Sequence, residues 1–132
     1  MNILTLSIKQ KYFDQIVSGE KTQEFREIRP TNAKKYFKYV SGGKEYTDAD
    51  DITEEGEIEL SPIKYDAIKF LTGAYNIKPR PWALVEVKDA QIEILTDENG
   101  EDIAYEYQGK EYLLAQIVYS LGKVIDTIDN HE

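Results

Sequence analysis

The chain has 132 residues, of which 41% are hydrophobic and 31% charged, a size and composition that fit one folded domain. It contains no cysteine and a single histidine, His131, so disulfides, thiol nucleophiles and cysteine metal sites are excluded and a histidine relay is disfavoured. The net charge of −9 disfavours extended coating of DNA, because such binding depends on neutralising many phosphates. A local basic cleft for one nucleotide or an RNA end remains compatible with this charge.

The sequence predicts no membrane partner. Residues 1–5 lack the basic stretch and apolar run of a signal peptide, and no window reaches the apolar length that crosses a bilayer. We therefore expect a cytoplasmic protein. No cofactor is predicted, and the sequence does not identify a protein partner.

Hydrophobic periodicity predicts a strand, a helix and a second strand over the first 28 residues. Residues 3–8 alternate as a strand does, and residues 9–18 carry apolar side chains at helical spacing up to Gly19, which suits a helix end. Residues 22–28 alternate again. With Phe25 toward the core, the polar side chains of Thr22, Glu24 and Arg26 line the opposite face.

The middle of the chain is less regular. Thr31 is predicted to cap a second short helix that runs to Tyr39, although the tyrosines there leave a strand open. Residues 41–44, Ser-Gly-Gly-Lys, predict a turn. The acid-rich residues 48–59 are interpreted as a solvated loop or edge, and no metal site is predicted because the spacing differs from that of an EF-hand.

The second half of the chain is predicted to be β-structure. The predicted strands cover residues 65–72, 82–95, 103–107 and 112–124. Residues 73–81 form a loop, the Asn-Gly pair in residues 97–100 favours a hairpin turn, and residues 108–110 form another turn. Residues 112–121 also fit the helical period, but their β-branched side chains favour a strand. The pattern indicates a mostly β (α+β) chain, a small β-barrel with one or two short helices.

The segment from Gly19 to Arg26 holds the strongest candidate site. Lys21 lies near the predicted turn, so its side chain can reach the strand face that carries Glu24 and Arg26. Such a cluster can keep a carboxylate ionised and aim a guanidinium at a phosphate or a base. The alternative is a structural ion-pair network, since surface ion pairs are common and individually weak.

Three further residues are candidate ligand contacts. Lys9 ends the first strand and is expected to neighbour the cleft of Lys21, Glu24 and Arg26. Arg80 lies in a loop between two prolines and could reach a phosphate. Tyr75 is a candidate for stacking on a base, as aromatic residues do with unpaired nucleotides. An exposed lysine and an exposed loop arginine are the structural alternatives, and Trp82 is interpreted as a packing residue.

The first strand, the helix and the pattern Gly19-x-Lys21-x-x-Glu24-x-Arg26 resemble the signature of the ASCH family. The resemblance is specific over residues 3–29 and loose over about 65–126, with residues 31–60 as a probable subgroup insertion. It implies a single PUA-like barrel domain over residues 1–132 that binds RNA, a nucleotide or a modified nucleoside. Amidohydrolases in this family match at Lys21 and Arg26, but carry a threonine nucleophile where this chain has Glu24.

Three functions are compatible with these observations. The first is a module that binds RNA or a nucleotide-type small molecule. The second is a small amidohydrolase or ribonuclease, in which Glu24 or Lys21 would be the catalytic base. The third is a protein-interaction adaptor that uses residues 31–60 as its contact surface.

Overall fold

The structure, a computed structural model, describes residues 1–53, 55–73 and 80–128. Its chain divides into two compact units that are interleaved in sequence. The first unit comprises Met1–Glu24, Lys64–Ala90 and the residues from Tyr119 onward; the second comprises Phe25–Ile63 and Gln91–Val118. The predicted insertion at residues 31–60 thus belongs wholly to the second unit, and the single domain remains a prediction.

Within the described ranges the chain forms one α-helix and ten strands. They are β1 (Ile3–Ser7), α1 (Gln10–Ser18), β2 (Gln23–Ile28), β3 (Phe37–Ser41), β4 (Lys44–Tyr46), β5 (Glu59–Pro62), β6 (Ala67–Leu71), β7 (Trp82–Ile94), β8 (Ala104–Tyr107), β9 (Lys110–Leu113) and β10 (Ala115–Ile128). The strands pair into sheets of order β1-β6-β7-β10-β2, β4-β3-β5 and β8-β9. The mostly β, α+β prediction is confirmed. The pairings among these residues close no barrel.

The core of the first unit lies on one face of the paired strands β1, β6 and β7. Leu4 pairs with Ile68 and Leu6 with Phe70 in the parallel β1–β6 ladder, and Phe70 pairs with Ala83 of β7. All five side chains are buried. Because residues in register point to the same side of a sheet, they form one continuous apolar layer. The strands predicted from alternation at residues 3–8, 65–72 and 82–95 are confirmed.

The helix prediction is also confirmed, together with its end. Helix α1 buries Phe13 and Ile16, the residues of the predicted apolar stripe. Gly19 adopts a φ of +83° and donates its N–H to the carbonyl of Ile16. A residue without Cβ accepts this left-handed conformation at little cost, so the glycine ends the helix and turns the chain toward β2.

The predicted orientation of β2 is wrong. Glu24 and Ile28 are buried, with 5% and 7% exposure, whereas Phe25 is 47% exposed. The alternation is right, but Phe25 does not face the core. Arg26, half-buried, shares the face of Glu24 and Ile28 because successive residues of a strand point to opposite sides. Glu24 tolerates burial because a lysine lies beside it, as described below.

The predicted helix from Thr31 to Tyr39 is wrong as well. A single 3₁₀ turn covers Ala33–Lys35 and follows Asn32, whose side-chain Oδ1 accepts a hydrogen bond from the backbone N–H of Arg29. The chain then enters β3, where Phe37 pairs with Pro62 of β5. The β-prone residues of this segment pair with β5, so the segment forms a strand, which was the alternative prediction.

The predicted turns are confirmed. Gly42 and Gly43 adopt positive φ between β3 and β4, and Gln108 and Gly109 do so between β8 and β9. Gly100 donates its N–H to the carbonyl of Asp97 in the Asn-Gly turn. The described part of residues 48–59 is mostly exposed, as predicted for a solvated segment.

The strand predicted at residues 112–124 is two strands. Leu114 separates β9 from β10: its N–H donates to Ile103 and its carbonyl accepts from Leu95, instead of continuing one ladder. Of the predicted loop 73–81, residues 74–79 lie outside the described residues. In the part of the chain that the structure describes, no helix has the length and apolarity needed to cross a membrane.

Candidate functional site in the first unit

Lys21 and Glu24 form an ion pair at the start of β2. The Lys21 Nζ lies 3.5 Å from the Glu24 Oε1, and the two side chains are 21% and 7% exposed. The turn that presents Lys21 is fixed by a hydrogen bond from its N–H to the carbonyl of Gln15 in α1. Thr22 is tied to β10, because its carbonyl accepts from the N–H of Leu121. Two of the three residues predicted to cluster are therefore in contact.

The Lys21 side chain also lies against helix α1. Its Nζ is 5.5 Å from the centre of the Tyr12 ring, within the range of a cation–π interaction. Tyr12 is in the first turn of α1, three residues after Lys9. Tyr12 thus contacts the ion pair through Lys21 and belongs to the same end of α1 as Lys9.

Lys9 and Arg80 line one shallow cavity of about 530 Å³. The other lining residues are Ser7, Ile8, Gln10, Thr72 and Gly73. Among the described residues, the cavity lining thus contains two cationic side chains and no carboxylate. The arrangement brings together two residues that are distant in sequence and were predicted separately as ligand contacts.

The guanidinium of Arg80 is held by the backbone. Its Nε donates to the carbonyl of Thr72 at 3.3 Å and its Nη2 to that of Gly73 at 3.5 Å. Thr72 itself is buried. These two bonds orient the guanidinium beside Thr72 and Gly73, which line the same cavity.

The N-terminal end of helix α1 borders this cavity, because Lys9 and Gln10 belong to its lining. Lys9 is the N-terminal capping residue of the helix, and the first turn contains no acidic side chain. The N–H groups of Tyr12 and Phe13 both donate to the carbonyl of Lys9. Backbone N–H groups in the first turn of a helix carry partial positive charge, which favours an anion at this end. Lys9, Arg80 and the N-terminus of α1 thus all favour an anion in this cavity.

The remaining predicted site residues have different outcomes. Arg26 occupies the next position on the Glu24 face of β2 and belongs to the second unit, so the convergence of all three charged residues remains a prediction. Tyr75 lies outside the described residues. Trp82 is only half-buried, and the Nζ of Lys69 lies 5.0 Å from the centre of its ring.

One carboxylate of the first unit was missed by the sequence analysis. Glu86 of β7 is half-buried and its side chain covers Gly122 of β10, where an added Cβ would clash with the Glu86 Oε1. Gly122 therefore makes room for the carboxylate. The signal was present in the sequence, because a glycine inside a strand often marks a close approach by another group.

The comparisons with known proteins add no relative. No family model matches the sequence, and no curated protein or solved structure matches it either.

Proposed function

We propose that this chain is an ASCH-like domain of the PUA-like group that binds RNA or a nucleotide through an anion site in its first unit. Lys9 and Arg80 contact a phosphate, and the Lys21–Glu24 pair provides a donor and an acceptor for the attached nucleoside. A cytoplasmic location and a barrel-like arrangement of the strands belong to the same proposal.

The observation that carries this proposal is the cavity shared by Lys9 and Arg80. Its lining is cationic in a chain whose net charge is −9, so it can attract a phosphate locally although the protein as a whole repels polyanions. A site of this kind suits one or a few phosphates rather than a long duplex. The backbone-held guanidinium of Arg80 lowers the entropic cost of gripping the anion.

A second candidate function is hydrolysis of an acylated nucleoside or an RNA phosphodiester. The observation in its favour is the burial of the Glu24 carboxylate next to the Lys21 ammonium, which places a candidate base and a candidate acid in contact at this turn. Incubation with N4-acetylcytidine and with single-stranded RNA tests it. Product formation that is lost in Glu24→Gln supports the enzyme, and unchanged substrates at high protein concentration remove both reactions.

Arg80→Ala is expected to weaken the binding of a short fluorescein-labelled single-stranded RNA by about tenfold or more, since it removes charge-assisted hydrogen bonds to phosphate. Fluorescence anisotropy titration at low salt measures the change. Lys9→Ala, which leaves the backbone contacts of Arg80 in place, is expected to act in the same direction.

Lys123→Ala is the matched control. Lys123 is an exposed lysine of β10 in the same unit and does not line the cavity. Its removal changes the net charge by as much as Lys9→Ala does, so the affinity is expected to change little. Equal losses of RNA affinity in Lys9→Ala and Lys123→Ala would show that overall charge, and not the cavity, causes the effect. Unchanged RNA affinity in both Lys9→Ala and Arg80→Ala would refute the anion site.

A further inference from the structure

The second unit contains a separate cavity of about 400 Å³. Its apolar lining comes from several strands, including Ile92 and Ile94 of β7, Leu113 of β9 and Leu60 of β5. This volume is within the range of small-molecule sites, which combine apolar walls with a few polar groups. None of the residues proposed above to bind RNA lines it.

Tyrosine rings form one wall of this cavity. Tyr105 of β8 and Tyr112 of β9 are directly opposite each other in the hairpin, and their rings stack with centres 5.8 Å apart and planes 24° from parallel. Tyr39 of β3 also lines the cavity, and its own ring is held edge-on by Phe37 at 5.2 Å. Aromatic walls of this kind favour a planar aromatic ligand.

Arg29 places a fixed positive charge at the rim. Its guanidinium lies 4.7 Å from the centre of the Tyr105 ring, and its Nε donates to the Glu27 Oε2 at 2.8 Å. The hydrogen bond with Glu27 raises the pKa of Arg29 above its ordinary value, so the group stays charged. Lys34, from the turn after β2, lines the same cavity.

The acidic residues of the lining are engaged within the protein. Asp50 pairs with Lys110, with 3.5 Å between Oδ2 and Nζ. The Oδ1 of Asp48 accepts a hydrogen bond from the backbone N–H of Asp50. Burial raises the pKa of Tyr39, with the charges of Tyr112, Asp48 and Asp50 adding to the effect, so its hydroxyl is a donor at neutral pH. Arg29 and Lys110 are engaged in the same way, with Glu27 and Asp50, so the donors that can face an anion are Lys34, the Tyr39 hydroxyl and the guanidinium N–H groups of Arg29 other than Nε.

We propose that the cavity of the second unit binds a planar aromatic small molecule that carries one anionic group. The aromatic part lies against the tyrosine wall and the apolar lining, and the anion faces Arg29 and Lys34. This site is distinct from the proposed RNA site, since every described residue that lines it belongs to the second unit. Either proposal can fail without the other.

Titration with 2-naphthoate, followed by amide NMR shifts of the full-length chain, tests the proposal. Shifts are expected in the segments that contain Arg29, Tyr39, Tyr105 and Tyr112. Because naphthoate carries the anion and 2-naphthol does not, naphthoate is expected to bind about tenfold more tightly than naphthol at neutral pH. Arg29→Gln is expected to remove most of that preference while naphthol binding is retained.

Tyr105→Ala removes part of the stacking wall and is expected to weaken naphthoate binding by about tenfold. Tyr107→Ala is the matched control, since Tyr107 is on the same strand but does not line the cavity. Equal affinities of naphthoate and naphthol would overturn the proposal. So would equal weakening in the two tyrosine variants, or shifts confined to the first unit.

Discussion

Phe70→Ala is expected to lower the free energy of unfolding by about 3–5 kcal/mol, the usual cost of truncating a fully buried aromatic side chain. Phe70 is 0% exposed and lies in register with Leu6 on one side and Ala83 on the other. Loss of the ring removes its contacts with both neighbouring strands and leaves a cavity in the apolar layer of the first unit. Urea denaturation followed by far-ultraviolet circular dichroism measures the change.

Phe25→Ala is the matched control, because it makes the same chemical change at an exposed position. Phe25 is 47% exposed on β2, so its truncation is expected to cost no more than about 1 kcal/mol. This pair of variants also tests the corrected orientation of β2. Similar losses of stability for Phe25→Ala and Phe70→Ala would mean that Phe25 faces a core after all.

Lys21→Met is expected to lower the free energy of unfolding by about 1–3 kcal/mol, because it removes the ammonium partner of a carboxylate that is only 7% exposed. The expected loss is below that of a fully buried pair, since the Lys21 side chain is itself 21% exposed and partly screened by water. Methionine keeps most of the aliphatic length, so packing against Tyr12 is largely preserved. Urea denaturation at neutral pH is again the measurement.

Two further variants give this prediction its controls. Lys38→Met removes a lysine whose Nζ lies 3.8 Å from the Glu45 Oε2, in a pair with 44% and 67% exposed side chains, and is expected to cost no more than about 0.5 kcal/mol. Adding Glu24→Gln to Lys21→Met is expected to recover part of the lost stability, because the buried carboxylate that has lost its ammonium neighbour is then replaced by a neutral amide. Equal and small losses of stability in Lys21→Met and Lys38→Met would contradict the proposal that Lys21 and Glu24 form a buried, energetically coupled pair.

Hydrophobic periodicity and the residue types at turns were enough to predict the helix and strands of the first unit. The alternation in residues 3–8, the apolar stripe of α1 and the glycine at position 19 each determine a local conformation that the fold retains. The orientation of β2 was not determined in this way. Local sequence made Phe25 the natural core residue, but the buried face carries Glu24, which is compensated by Lys21 three residues earlier.

Long-range pairing explains the other errors. The segment after Thr31 has tyrosines and lysines that fit either a short helix or a strand, and only its partner β5 makes β3 the outcome. The break at Leu114 depends on hydrogen bonds to Ile103 and Leu95, which no local pattern reveals. Predictions based on one segment at a time do not contain this information.

The candidate site was predictable in part for the same reason. The contact between Lys21 and Glu24 follows from a turn and three residues of separation, which are local features. Lys9 and Arg80 were identified singly, and their common cavity arises only from the folding of the first unit. The aromatic cavity of the second unit was missed, because Tyr39, Tyr105 and Tyr112 come together through two separate sheets.

Titration of the isotopically labelled protein with cytidine 5′-monophosphate, followed by two-dimensional amide NMR, tests the anion site most directly. The proposed function predicts saturable shifts at Ser7–Gln10, at Thr72, Gly73 and Arg80, and at the turn that holds Lys21, with the shifts lost in Arg80→Ala. An absence of saturable shifts in these segments at millimolar nucleotide, in a protein whose spectrum shows it to be folded, would contradict the account.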